Sequence, residues 1–131
     1  MEQKIVIGVV GLLIIGAIGI FAFAPQSAVN GTDIPAGKYT AFAQCIADTD
    51  TTFYGAFWCP HCNAQKAMFG DAKDLLPYVE CSTLDGKGQL PVCKDAGVSG
   101  YPTWEFPDKT RMTGEIQLAV LAEKTGCVLP Q

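Results

Sequence analysis

The hydropathy pattern opens with an unbroken apolar run, Ile5 to Ala24, twenty residues without a charge. A helix of that length rises about 30 Å, the thickness of the hydrocarbon core of a bilayer, so residues 1–24 are expected to hold one membrane-spanning helix. Ala22-Phe23-Ala24 has the small-residue spacing of a signal-peptide cleavage site. Cleaved signals carry shorter apolar regions, however, and Pro25 would follow the cut. The expectation is an uncleaved signal anchor. Lys4 precedes the run and no cation follows it until Lys38, so the positive-inside bias places the N-terminus in the cytoplasm and the remainder on the extracytoplasmic side, periplasmic or extracellular.

Residues 25–37 contain Pro25, Asn30-Gly31 and Pro35-Ala36-Gly37 with few large apolar groups, and read as a linker. One folded domain is expected over residues 38–131. Within it, Tyr39, Phe42, Ala43 and Ile46 recur at helical intervals and predict a helix over Tyr39 to Ala47. Thr52 to Trp58 is a mostly apolar run that predicts a buried strand. Pro60 suits a first helical turn, and Ala64, Ala67, Met68, Leu75 and Leu76 extend the helix toward its stop at Pro77, with a kink at Gly70. Tyr78 to Ser82 reads as a second strand, Leu90 to Ala96 as a short helix broken at Gly97, and Thr103 to Thr113 as a hairpin turning at Pro107-Asp108-Lys109. Glu115 to Thr125 predicts the closing helix. A strand-helix-strand unit followed by a hairpin implies an α/β domain, one mixed sheet with helices on both faces.

From Pro25 onward, eight Lys/Arg face twelve Asp/Glu. The domain is acidic and lacks the basic footprint of a nucleic-acid binder. Six cysteines in so short a chain are an even number and more than a reducing compartment usually tolerates, which agrees with an extracytoplasmic domain.

Cys59-Pro60-His61-Cys62 falls where the expected strand gives way to the expected helix. Unpaired N–H groups and the dipole of a helix start stabilise a thiolate, so Cys59 is expected to be acidified, exposed and nucleophilic, and Cys62, one turn inside, to be the resolving thiol. A structural disulfide and half of a zinc site are the competing readings. Zinc wants four ligands, and the chain has one histidine and no second Cys-x-x-Cys, so no metal or other cofactor is expected. An imidazole at His61 would favour the Cys59 thiolate and make the disulfide more oxidising; the alternative is that His61 only meets solvent. Trp58 adjoins the nucleophile and is expected to shield it, whereas Trp104 reads as core. Lys66, Asp71, Lys73 and Asp74 read as a solvated helix face.

Tyr54 through Cys62, together with Gly97-Val98-Ser99-Gly100-Tyr101-Pro102-Thr103, resembles the active-site strand and the cis-proline segment of the thioredoxin superfamily. The resemblance implies a thioredoxin-like fold over nearly all of Lys38 to Cys127 and a cis peptide before Pro102. It also implies that the backbone of Tyr101 pairs with the substrate chain. Thirty-nine residues separate Cys62 from Pro102, too few for the helical insertion of the larger disulfide-donor members. Tyr54 through Lys66, Leu76 through Ser82 and Gly97 through Trp104 are more narrowly similar to the thioredoxin-like domain associated with bacterial and archaeal vitamin K epoxide reductase homologues. Those membrane enzymes reoxidise the domain and pass electrons to a quinone, which implies a separate membrane-embedded partner of that kind and client proteins bearing cysteines. One departure stands out: the buried carboxylate that thioredoxins carry six residues before the first active-site cysteine is here Phe53.

Six cysteines allow fifteen connectivities. Loop length and the resemblance together favour Cys81 with Cys93, leaving Cys45 and Cys127 to each other; a free Cys127 open to intermolecular pairing is the alternative. The expected function is a membrane-anchored disulfide donor. A reductase or isomerase is the alternative reading, and a non-enzymatic module holding a metal or partner is the alternative from another class.

Overall fold

The computed structural model of the chain describes residues 34–131. The expected membrane span and signal anchor, and most of the expected linker, lie outside the described residues. Among these residues no helix is long and apolar enough to cross a membrane.

The chain runs through helix α1 (Thr40–Asp48), strand β1 (Thr52–Gly55), helix α2 (Pro60–Ala67), a 3-10 helix (Gly70–Leu75), β2 (Tyr78–Glu80), α3 (Pro91–Asp95), β3 (Thr103–Glu105), β4 (Arg111–Thr113) and α4 (Leu118–Thr125). The sheet order is β2-β1-β3-β4. β1 is parallel to β2, with Gly55 opposite Glu80, and antiparallel to β3, with Tyr54 opposite Thr103. β3 and β4 form the expected hairpin. This mixed sheet flanked by helices fits a thioredoxin-like fold.

Alternation along β1 divides the interior. Phe53 stacks on Trp104 at 4.4 Å with the rings parallel, and joins Phe42, Ile46, Phe69, Phe106 and Leu121 in the larger core cluster. Tyr54 belongs to a smaller cluster with Cys81, Cys93 and Val98, beneath the short helix α3. Two disulfides fasten these layers. Cys45 is bonded to Cys127, 82 residues apart in sequence, and Cys81 to Cys93, 12 apart. Closing so long a loop removes the most freedom from the unfolded chain, and the first bond is worth about 4.5 kcal/mol in the chain-entropy account.

Three elements differ from the periodicity. The expected strand Thr52 to Trp58 ends at Gly55, because Ala56 to Trp58 turns out of the sheet and the Cys59 N–H bonds to the Ala56 carbonyl at 3.0 Å. The apolar run continues past the strand because Phe57 and Trp58, each about half exposed, form a rim and not a sheet face. The expected long helix stops at Ala67. Gly70, at φ +57°, breaks it outright, and a separate 3-10 helix carries the chain to Leu76 before Pro77. Ile34 packs beside Gly70, and the Gly37 N–H donates to Asp71 Oδ2 at 2.8 Å. Asp71, exposed as expected of a solvated face, thus also tethers the segment ahead of α1.

The closing helix begins at Leu118 instead of Glu115. Buried Gln65 explains the delay. Its Oε1 accepts the Ile116 N–H at 2.6 Å and its Nε2 donates to the Ile116 carbonyl at 3.0 Å, so an amide side chain of α2 takes the place of a strand partner and holds this segment extended. Replacing Gln65 by Leu would leave both backbone groups buried without partners, at about 1–3 kcal/mol each. The Gln65→Leu chain is expected to lose about 2–5 kcal/mol of unfolding free energy by urea titration; a loss below about 1 kcal/mol would mean that these groups find other partners.

Candidate redox site

The strand directions decide what meets at the site. β1 and β2 are parallel and β3 opposes them, so the C-terminal ends of β1 and β2 and the N-terminal end of β3 share one edge of the sheet. From that edge leave the turn leading to Cys59, the Cys81–Ser82 segment, and Tyr101-Pro102, whose peptide is cis.

Cys59 is the N-cap of α2, where its sulfur accepts the Cys62 N–H at 3.4 Å, and Pro60 takes the first helical position, where no N–H is needed. Both cysteines are unbridged. The expected exposure of Cys59 is corrected by the structure: it is only 5% exposed, and Cys62 is fully buried. Covering comes from the cis-proline segment, since the Tyr101 carbonyl lies 3.8 Å from Cys59 Sγ and can accept its S–H. The Tyr101 ring packs edge-on against Trp58 at 6.1 Å, and its hydroxyl accepts from Gln89 Nε2 at 2.9 Å. Trp58 in turn donates from Nε1 to Ser82 Oγ at 2.8 Å. Cys59, Cys62, Trp58, Tyr101 and Pro102 therefore come together at one place. Cys81–Cys93 lies beside it and Cys45–Cys127 belongs to the larger core cluster.

His61 points outward, and its Nδ1 lies 2.6 Å from Glu115 Oε1. A carboxylate from the segment before α4 holds the ring, so solvent is not its only partner. Glu115 is a residue that sequence reasoning missed. Its only signal is that it is acidic and near the end of a hairpin, and 54 positions separate it from His61.

A second missed group lies on β2. The Tyr78 hydroxyl donates to Glu80 Oε2 at 2.8 Å, and Glu80 Oε1 accepts from the Phe57 N–H at 3.2 Å and the Ser82 N–H at 2.8 Å. Lys66, expected on a solvated face, instead places Nζ 3.3 Å from the centre of the Tyr78 ring, a cation-π contact. Phe53, at the position of the absent carboxylate, meets the Tyr78 ring edge-on at 5.2 Å.

These surroundings act on the buried thiol. Burial chiefly, then the hydrogen bond shared with Cys59, pushes Cys62 up to about 12, while the Ala56 backbone and the Lys66 charge pull the other way. Tyr78 is likewise raised, by burial first and by Glu80 next. Among the described residues no three His, Cys, Asp or Glu side chains are grouped so as to hold a metal ion.

Over 95 residues, 70% of its length, the chain is 49% identical to a protein of Arabidopsis thaliana named thiol-disulfide oxidoreductase LTO1. Fold and relative together fit the thioredoxin superfamily. The chain spans about a quarter of that relative's length. No protein-family model matches it.

A raised thiol binds its proton more tightly folded than unfolded. Its contribution to stability is therefore complete below about pH 9 and is lost as pH rises toward about 12. In a Cys59→Ala chain the Cys59 hydrogen bond is lost but burial, the largest cause, remains, so thiolate absorbance from Cys62 is expected to rise only above the ordinary range near pH 9, and stability to fall above about pH 9 relative to the Cys59→Ala/Cys62→Ala chain. A titration centred near pH 9 would overturn this account of the buried thiol.

Proposed function

We propose that this chain is a thiol-disulfide oxidoreductase with Cys59-Pro60-His61-Cys62 as its active site. It would be held at a membrane by its N-terminal segment with the domain on the extracytoplasmic side. In this reading it donates its disulfide to folding proteins and is recharged by a membrane-embedded partner of the vitamin K epoxide reductase type, linked to quinone. The observation that carries the reading is the unbridged pair at the start of α2 with the Tyr101 carbonyl against Cys59 Sγ. The name of the Arabidopsis relative supports the same chemistry.

In the donor direction, a client thiolate attacks Cys59 Sγ of the Cys59–Cys62 disulfide. That bond breaks, Cys62 leaves as a thiolate and takes up a proton, and the client is joined to Cys59. A second client thiolate then attacks the client sulfur of this mixed disulfide, and Cys59 leaves. The client loses two electrons and the protein gains them; the partner's disulfide removes them again by the reverse steps. The Tyr101 backbone supplies the edge on which a client segment pairs, and Trp58 bounds one side.

The donor direction is supported by the state that the site favours. The hydrogen bond between the two thiols exists only in the reduced form, in which the Cys62 N–H also donates to Cys59 Sγ. Stabilising that form makes the disulfide a stronger oxidant. Pro60-His61 between the cysteines agrees with a donor.

The test has two parts. In the full chain, Cys62→Ala is expected to accumulate mixed disulfides between Cys59 and client proteins, which a module that merely holds a metal or partner would not do. The reduction potential of the Cys59/Cys62 pair is expected at about −200 mV or higher; a value near about −270 mV, the level of thioredoxin, would make the protein a reductase.

A further inference from the structure

A buried thiol with its acidity suppressed has to lose a proton each time it closes the disulfide, yet Phe53 stands where a carboxylate would take it. With its pKa pushed up to about 12 by burial and Cys59, Cys62 carries its proton at neutral pH. Beyond Cys59 and the Ala56 backbone, which hydrogen-bond this thiol, the neighbouring strand brings a phenol close to it. A Cβ on Gly55 would sit 3.0 Å from Cys62 Sγ, 3.3 Å from Tyr78 Oη and 2.7 Å from Tyr78 Cε2. Sulfur and phenol thus flank the same point above Gly55, where a side chain would otherwise sit. Tyr78 and Glu80, two apart on β2, point to the same face, and the Tyr78 hydroxyl already donates to Glu80. Glu80 itself is held by two backbone N–H groups. The other titratable groups around the sulfur are Cys59 and Lys66.

We propose, resting on the oxidoreductase reading above, that Tyr78 and Glu80 form the proton relay of Cys62, with the Glu80 carboxylate as the acceptor. When Cys59 is joined to a client or partner thiol, the Cys62 proton passes to Tyr78 Oη as the Tyr78 proton passes to Glu80 Oε2. Cys62 sulfur attacks Cys59 Sγ, the Cys59–Cys62 bond forms, and the other thiolate leaves. Two electrons pass from the two cysteines to the attacked disulfide, and the proton remains on Glu80 until solvent removes it. Run backward, Glu80 returns the proton to Cys62 as it leaves during donation. Lys66, over the Tyr78 ring, favours the transient negative charge.

The resolving step can be watched alone. Reduced full-length protein mixed with an aromatic disulfide such as Ellman's reagent releases one coloured thiolate when Cys59 attacks and a second when Cys62 closes the ring. General-base assistance is commonly worth about 10²–10⁴-fold. In Glu80→Gln and in Tyr78→Phe, the second release is expected to slow about 10²-fold at pH 7 and to converge with the unchanged chain in alkali, where hydroxide replaces the carboxylate. Removing a negative charge near Cys62 would, if Glu80 acted by charge alone, lower the thiol's acidity barrier and speed this release. An unchanged or faster second phase in Glu80→Gln would therefore overturn the relay. So would slowing by the same factor at every pH, which marks a merely structural effect. If the unchanged chain shows no second release at any pH, it is the oxidoreductase reading that fails, and the relay with it.

Discussion

The central strand Thr52–Gly55 is paired on both edges, parallel to β2 and antiparallel to β3, and the site depends on that double pairing. A strand with one parallel and one antiparallel neighbour brings two strand ends and one strand beginning to the same edge. The helix start bearing Cys59, the Tyr78–Glu80 pair and the Tyr101-Pro102 segment converge there without any of them being near in sequence. Four residues of strand suffice because Phe53 and Tyr54 anchor opposite faces, each in its own apolar cluster.

The rest of the molecule holds that strand still. Stacking of Phe53 on Trp104 fastens β1 to β3 through side chains as well as through the ladder. Gln65 locks α2 to the segment before α4 by taking both backbone groups of Ile116. Since α2 begins at the redox cysteines, this clamp fixes the far end of the helix whose near end does the chemistry. The same segment carries Glu115 to His61. The two disulfides constrain the loop after β2 and the chain end, not the redox pair itself.

An apolar environment around a working thiol creates a conflict between packing and proton transfer. Burial protects Cys62 from reagents that reach Cys59 more readily, but it also disfavours the charged sulfur that has to form. The Tyr78–Glu80 pair, partly buried and fully hydrogen-bonded, brings polar atoms to the edge of this cluster without leaving them unpaired. Gly55 allows this closeness, because any side chain there would collide with the Tyr78 ring.

Local patterning in the sequence determined the order of elements, the redox motif at a strand-helix junction and the break at Pro77. Those features follow from periodicity, proline and the chemistry of helix starts, which act over a few residues. The lengths of β1 and α2 were less legible: Phe57 and Trp58 look as apolar in a rim as in a strand, and Gly70 breaks a helix or bends it with the same letter. Tertiary structure alone decided that Lys66 lies on Tyr78, that Glu115 holds His61, that Gln65 captures Ile116 and that Tyr78 and Cys62 flank Gly55. Each of those contacts depends on strand register and helix rotation, which are set by the packing of the whole core, and residues dozens of positions apart carry no local mark of which neighbour they will meet.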